Sequence, residues 1–270
     1  MFETLPCELA LVRRGARWRD RLALGRILAR LHLQAGLAAR LGRPLPMGRV
    51  REVDVEIGGL ASLRLRTNDV PVFEVLGCDA YGVDLARLGP VRTVLDLGAN
   101  VGLATVYLAR QLPGARFCCV EPSSRSLPFL RENLRRNVPS SMAIRAAAVG
   151  EAGPRGVDEG AYGGLTRVTG AGEGEEVDGM TVVELLDAAG FAVADLAKID
   201  IQGGEAALFE HADDWAPRVR ALIAEVHAPL TVTAAAAGLA QHGYDPLPLP
   251  VGRLYDDMLY VRRGQGPTAG

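Results

Sequence analysis

The spacing of apolar positions changes several times along the chain, and each change marks a different kind of element. Between residues 9 and 41, Leu11, Trp18, Leu22, Leu24, Ile27, Leu28, Leu31 and Leu41 recur at helical spacing. Arg17, Arg21, Arg26 and Arg30 intersperse at the same period, which predicts amphipathic helices. Gly42-Arg43-Pro44-Leu45-Pro46 ends them. From 50 to 66 the period falls to two: Val53, Val55 and Ile57, then Leu63 and Leu65, on either side of Gly58-Gly59. That reads as a β-hairpin. The segment Thr67–Leu76 follows, with Asn68 or Asp69 as a candidate helix cap.

Short, nearly continuous apolar runs then alternate with helical patterns. Val94–Leu97 and Ala115–Val120 read as buried parallel strands. A helix over about Leu103–Leu112 lies between them, stopped by Pro113-Gly114. A second helix runs from Ser123 or Ser124 to Asn137, closed by Pro139, and Met142–Val149 is a third strand candidate. Residues 150–179 are rich in glycine and acids and predict a mobile insertion with one short hairpin around Leu165–Val168. Val182–Ala189 reads as a helix ending at Gly190, Leu196–Ile199 as a strand, and Ala206–Phe209 as the start of a helix. Val219–His227 reads as a fifth strand with Glu225 and His227 on one face. A helix over Thr231–His242 and strands at Tyr244–Leu249 and Met258–Val261 complete the series. The alternation predicts an α/β, doubly wound architecture. Its parts are an N-terminal helical extension over 1–49, a main domain over 50–263 and a frayed tail over 264–270.

Of the 270 residues, 49% are hydrophobic, enough for a large core. The formal net charge of −2 gives no overall pull toward a nucleic acid. The arginine-rich N-terminal stretch reads as a solvated helix face, either a cap on the main domain, an oligomer contact or a substrate lid. No apolar run reaches the roughly 20 residues that cross a membrane, and the N-terminus has no signal-peptide core. The four cysteines are Cys7, Cys78, Cys118 and Cys119. Cys118 and Cys119 are adjacent in a strand and point to opposite faces. All four are expected as reduced thiols of a cytoplasmic protein, and no C-x-x-C or H-E-x-x-H spacing suggests a metal.

The chemistry concentrates where strands end. Val94-Leu95-Asp96-Leu97-Gly98-Ala99-Asn100-Val101-Gly102 is a strand, a glycine turn and a helix start. It is not the Gly-x-Gly-x-x-Gly dinucleotide fingerprint. Asp96 at the strand end would repel a pyrophosphate and suits a cationic or amino-bearing ligand, which disfavours a nicotinamide enzyme. Val120-Glu121-Pro122 ends the next strand with a carboxylate about twenty residues on, where an acid accepts ribose hydroxyls in related folds. Lys198-Ile199-Asp200-Ile201-Gln202-Gly203-Gly204-Glu205 repeats the arrangement of strand, acid, glycines and helix. His227 follows Glu225 and is the natural base for a hydroxyl near neutral pH.

Together with Asn68-Asp69, Phe73 and Tyr81 upstream, these blocks resemble the FkbM family of class I S-adenosylmethionine-dependent methyltransferases over about Leu63–Val261. The resemblance implies a Rossmann-like, seven-stranded, mostly parallel sheet with an antiparallel last strand, and S-adenosyl-L-methionine as cofactor. It also implies a small-molecule acceptor, with O-methylation of a sugar or secondary metabolite in a bacterium. Carboxyl methylation is the alternative, as is a non-catalytic cofactor-binding role. It assigns Asp96, Gly98, Asn100 and Gly102 to the methionine end of the cofactor and Glu121 to the ribose. Ser123 and Ala148 fall to the adenine, and Tyr81 to a covering position. Asp200 falls to the cofactor's amino group or the acceptor, and Glu205 and His227 fall to the acceptor side, with His227 as base, although Glu205 could instead cap its helix. Gln202 departs from the pattern, since the family usually has glutamate there. That makes a metal built on that carboxylate less expected. The N-terminal helices remain a candidate homo-oligomer contact.

Overall fold

A computed structural model of the chain describes residues 4–41, 50–138, 142–159, 166–170, 172, 174–251 and 255–264. The order of its main sheet decides where a ligand can sit. Seven strands hydrogen-bond side by side: β12 (Tyr244–Pro246), β13 (Met258–Arg263), β11 (Ala221–Glu225), β10 (Leu196–Ile199), β3 (Thr93–Leu97), β4 (Arg116–Val120) and β5 (Met142–Arg145). The pairs β11–β10, β10–β3, β3–β4 and β4–β5 are parallel, and β13 is antiparallel to both neighbours. The chain leaves β3 toward one edge and returns through β10 toward the other. The carboxyl ends of β3 and β10 therefore flank the switch point, where open α/β sheets form their crevice.

Both faces of the sheet are buried, so its strands are apolar throughout. One face packs on α3 (Leu103–Gln111), α4 (Leu127–Asn137), the hairpin β1–β2 (Glu52–Ile57 and Ala61–Arg66) and the N-terminal helices α1 (Leu5–Arg13) and α2 (Trp18–Leu41). The other packs on α5 (Val182–Ala189), α6 (Glu205–Glu210), α7 (Ala212–Trp215) and α8 (Val232–Ala240). Cys119 belongs to the first layer and Cys118 to the second, as strand alternation requires. The hairpin forms as the pattern predicts, with Val55, Ile57, Ala61, Leu63 and Leu65 inside. Two asparagines of α4 complete its outer edge. Asn133 Oδ1 accepts from Arg64 N at 2.7 Å and its Nδ2 donates to Arg64 O at 3.0 Å. Asn137 does the same for Ser62, at 2.8 and 2.7 Å. Amide side chains thus replace a neighbouring strand, which closes an edge that would otherwise invite pairing.

Several expectations are corrected. Cys7 and Cys78 are joined in a disulfide, with Cα atoms 5.1 Å apart, so only Cys118 and Cys119 are free thiols. Met142–Val149 is not one strand. It breaks after Arg145, and β6 (Ala148–Val149) joins a second sheet. That sheet, ordered β6–β9–β7–β8, is built from β7 (Gly153–Glu159), β8 (Thr166–Thr169) and β9 (Glu175–Met180). The expected mobile insertion is therefore a paired β layer. Its glycines misled the pattern: a Cβ at Gly179 would lie 2.2 Å from Glu151 O, so close strand crossing requires glycine there. Asp69 caps no helix. It is fully buried and accepts from Arg66 N and Arg66 Nε. The segment Phe73–Gly77 beyond it is a single π-helical turn rather than an α-helix. The expected end of the second loop helix at Pro139, the hairpin start at Leu165 and the tail beyond Gly264 lie outside the described residues.

No helix among the described residues is long and apolar enough to cross a membrane.

Candidate active site

The crevice at the switch point is a cleft of about 570 Å³. Its floor is made by two glycine turns in backbone contact. Gly98 has φ +79°, and a Cβ there would lie 1.8 Å from the carbonyl oxygen of Asp200. Gly98 N donates to Val120 O at 3.0 Å, and Asp200 N donates to Leu97 O at 3.0 Å, which locks the β10 turn to the β3 turn. Only glycine permits this approach. Gly102, also at positive φ, serves packing instead: a Cβ there would meet Leu130 and Leu134 of α4.

A buried ammonium ties the two turns together. Lys198 Nζ donates to Gly98 O at 2.6 Å and lies 3.2 Å from Asp96 Oδ1 and 3.8 Å from Asp200 Oδ2. Burial disfavours its charge, but the charges of Asp96 and Asp200 outweigh that and hold Lys198 above its ordinary value. Asp96 is fully buried behind the turn, where Thr105 Oγ1 donates to its other oxygen. It is the anchor of the floor and does not reach the cleft surface.

Glu121 reaches the cleft with an unusual set of partners. Its two oxygens accept from Asn100 N at 2.8 Å and Ser123 N at 3.0 Å, and no cation faces it closely enough for an ion pair among the described residues. Burial pushes it up to about 7, against the pull of those two N–H groups. Asn100 adopts φ +48° to present its N–H to this carboxylate. Ser123 and Ala148 are buried behind the wall, while their neighbours Pro122 and Val149 line it. Tyr81 is buried in the cleft lining, its ring centroid 6.0 Å from Lys198 Nζ.

The opposite end carries a hydrogen-bonded chain. Glu205, fully buried at the start of α6, accepts from Ile201 N and Gly203 N, both at 2.9 Å, and faces His227 Nδ1 at 3.1 Å. Gln202 Nε2 lies 2.8 Å from Asp200 Oδ1 and 3.2 Å from His227 Nε2. Glu225 Oε1 is 3.6 Å from His227 Nε2. Burial would raise Glu205, but the bond and charge of His227 together with backbone N–H groups outweigh it and Glu205 is lowered. Glu205 in turn raises His227 to about 9, against burial. Burial, then Asp200, pushes Glu225 up to about 7.

Gly98, Asn100, Glu121, Tyr81, Asp200 and His227 thus share one cleft, while Asp96, Gly102, Ser123, Ala148 and Glu205 support it from behind. Donor atoms of Asp200, Glu205 and His227 lie within 4.8 Å of one another. Both Glu205 oxygens are nevertheless taken by backbone N–H groups and the imidazole. The trio is a hydrogen-bonded His227–Glu205 pair beside the acid of Asp200. Glu74, Leu31, Asp257 and Val168 also line the cleft and escaped the sequence reading. Glu74 is exposed at the cleft on the π turn, which has no sequence signature here. Val168 enters through the second sheet.

No family model matches the chain. Over 182 residues it is 30% identical to the 31-O-demethyl-FK506 methyltransferase FkbM of Streptomyces tacrolimicus, covering 54% of this chain and 68% of that protein. It is 36% identical over 89 residues to the AMB antimetabolite synthetase AmbE of Pseudomonas aeruginosa. That match covers 33% of this chain and only 4% of the much longer synthetase. Among solved structures, the magnesium protoporphyrin IX methyltransferase of Synechocystis PCC 6803 with bound SAM matches with a TM-score of 0.45 and 14% identity. The match covers 73% of this chain and 83% of that one.

Proposed function

The chain belongs to the FkbM family of S-adenosylmethionine-dependent methyltransferases, and from that premise we propose that it methylates a hydroxyl of a small sugar-like or secondary-metabolite acceptor. The observation that carries this reading is His227 on the cleft wall, with Nδ1 held by the buried Glu205 and Nε2 turned inward. Such a pair suits removal of a hydroxyl proton during transfer. The streptomycete relative is itself named for a substrate lacking an O-methyl group.

The cleft fits the cofactor. Gly98, Asn100 and Glu121 are the residues that would hold it, Glu121 through hydroxyls that donate to its carboxylate. When bound, S-adenosylmethionine supplies a methyl group on a positively charged sulfur. Glu74, Asp200, Glu225 and Asp257 give the cleft an acidic lining, which suits a cationic donor and opposes an anionic acceptor. A hydroxyl is therefore favoured over a carboxylate as methyl acceptor.

The test is calorimetry with S-adenosylhomocysteine and NAD, followed by turnover on a panel of hydroxylated acceptors. We expect binding of the first compound only. The His227→Asn variant should keep that affinity within about twofold while losing roughly 10²-fold or more in turnover. Full turnover in that variant, or methylation of carboxylic acids alone, would overturn the reading.

A further inference from the structure

Gln202 stands at the junction of the two acid–glycine turns, and its backbone is held in an unusual state. Its φ is +53° in a non-glycine residue, between Ile201 and Gly203. Such positions persist where the surroundings impose them, and they cluster at functional sites. Here the strain aims a primary amide between Asp200 and His227.

The chemistry of the four groups fixes which atoms carry protons. A carboxylate only accepts, so the Gln202 atom 2.8 Å from Asp200 Oδ1 is the amide nitrogen, donating one N–H. The same nitrogen lies 3.2 Å from His227 Nε2. An amide nitrogen has two N–H donors and no lone pair to offer. His227 Nε2 must therefore accept, and the imidazole proton sits on Nδ1, which donates to Glu205 Oε1 at 3.1 Å. Each donor then meets an acceptor along Asp200, Gln202, His227 and Glu205.

We propose that Gln202 is a positioning residue whose amide, bridging Asp200 and His227, fixes the neutral form of the imidazole as the Nδ1–H tautomer with its Nε2 lone pair facing the cleft. It builds on the base role of His227. An incoming hydroxyl replaces the Gln202 N–H on Nε2. With S-adenosylmethionine bound, the hydroxyl proton would pass to Nε2 as its oxygen bonds the methyl carbon and the methyl–sulfur bond breaks, the electron pair returning to sulfur in S-adenosylhomocysteine, and an imidazolium paired with Glu205 would remain.

The acids around the ring pull the other way. Glu205 from α6, Asp200 from the β10 turn and Glu225 from the end of β11 all favour the imidazolium. Glu74 acts on Asp200 and Glu225 from the π turn, and Lys198 behind Asp200 offsets part of that charge. A protonated Nε2 would face the Gln202 N–H donor to donor, so Gln202 adds to burial in resisting protonation of the ring. A glutamate at 202, which the family resemblance leads one to expect, offers only acceptors and would bind the imidazolium instead. The departure from that pattern sets a hydrogen-bond donor against Nε2 in otherwise acidic surroundings.

The experiment is ¹⁵N–¹H long-range NMR on histidine-labelled full-length protein. The His227 signal is identified among His32, His211, His227 and His242 by the His227→Asn variant. In the wild type we expect the neutral form to be the Nδ1–H tautomer. Gln202→Met, which removes both donors without adding charge, should raise the titration midpoint of His227 by at least about one pH unit. The low-pH limb of kcat/KM should move with it, a loss of about tenfold on that limb. Gln202→Glu should move both further, and S-adenosylhomocysteine affinity should stay within about twofold in both variants.

A neutral wild-type His227 carrying its proton on Nε2 would overturn the proposal, whether or not a variant folds. So would an unchanged midpoint in a folded Gln202→Met protein. The expected tautomer and shift without any change in the kcat/KM limb would sink the base role of His227 and leave the bridge itself intact.

Discussion

At the scale of single residues, Glu121 sets a pH dependence that the cofactor should feel. Hydroxyls donate to it more strongly when it is ionised, and burial holds it at about 7. Under the ribose role proposed for it, S-adenosylhomocysteine affinity should weaken by up to about tenfold for each pH unit below 7 and level off above. Calorimetry at pH 6, 7 and 8 checks this, and the slope should vanish in Glu121→Ala. An equal slope in both proteins would assign the dependence to Glu225 or His227 instead. The sign for folding is the opposite. An acid raised in the folded state contributes stability in full below its unfolded value near 4.5, and that contribution disappears as pH rises through about 7. The ionised free protein therefore bears a cost on the order of 3 kcal/mol at this one residue, and cofactor binding offsets it. The sequence placed Glu121 correctly at a strand end because strand length and acid position are local facts. It could not show that Asn100 N and Ser123 N would take both carboxylate oxygens, since that depends on how two separate turns meet.

At the scale of elements, the two acid–glycine turns behave as one unit. A methyl group at Gly98 would collide with the backbone of Asp200 and sit at positive φ. Gly98→Ala should destabilise the fold by about 2–4 kcal/mol, a fall of about 5–15 °C in Tm for a domain of this size. It should also abolish S-adenosylhomocysteine binding. Gly114→Ala is the control, because Gly114 has φ +85° but open space around it. It should cost only about 1 kcal/mol and leave binding intact. Equal effects at the two sites would remove the special contact between the turns. The strands, helices and hairpin were legible because each has a period of its own, and Leu95, Val120 and Ile199 needed no partner to be recognised. The second sheet was not legible. Gly153, Gly174 and Gly179 read as loop glycines, yet Gly174 and Gly179 are required where strands pass close to other backbone. The π turn at Phe73–Gly77 was missed for a similar reason: its extra residue is absorbed by tertiary packing and leaves no mark on spacing.

At the scale of the whole molecule, the N-terminal helices are tied to the wall of the cleft. The Cys7–Cys78 bridge joins α1 to the residue that closes the π turn, across a separation of 71 residues. That turn presents Glu74 and Val75 to the cleft, and Leu31 of α2 lines it as well. Spacing alone assigns no pairing to two isolated cysteines, so this tie was invisible in the sequence. Packing supports it independently: a Cβ at Gly77 would already press on Leu11 and Cys7 of α1. Opening a loop of this length gives the unfolded chain back enough freedom to cost about 4 kcal/mol. A Cys7→Ser/Cys78→Ser protein should therefore melt roughly 8–16 °C lower than the oxidised wild type. Reductant should lower the wild type by a similar amount and leave the double variant unmoved. Thiol titration in denaturant without reductant should find Cys118 and Cys119 only. Four reactive thiols there, or a double variant that melts with the wild type, would show that the helices hold to the cleft wall by packing alone. Should the bridge form as described, S-adenosylhomocysteine affinity measured well below the melting range should still change little on reduction. The residues proposed to hold the cofactor, Gly98, Asn100 and Glu121, are anchored by β3 and β4 and make no direct bond to the bridged cysteines.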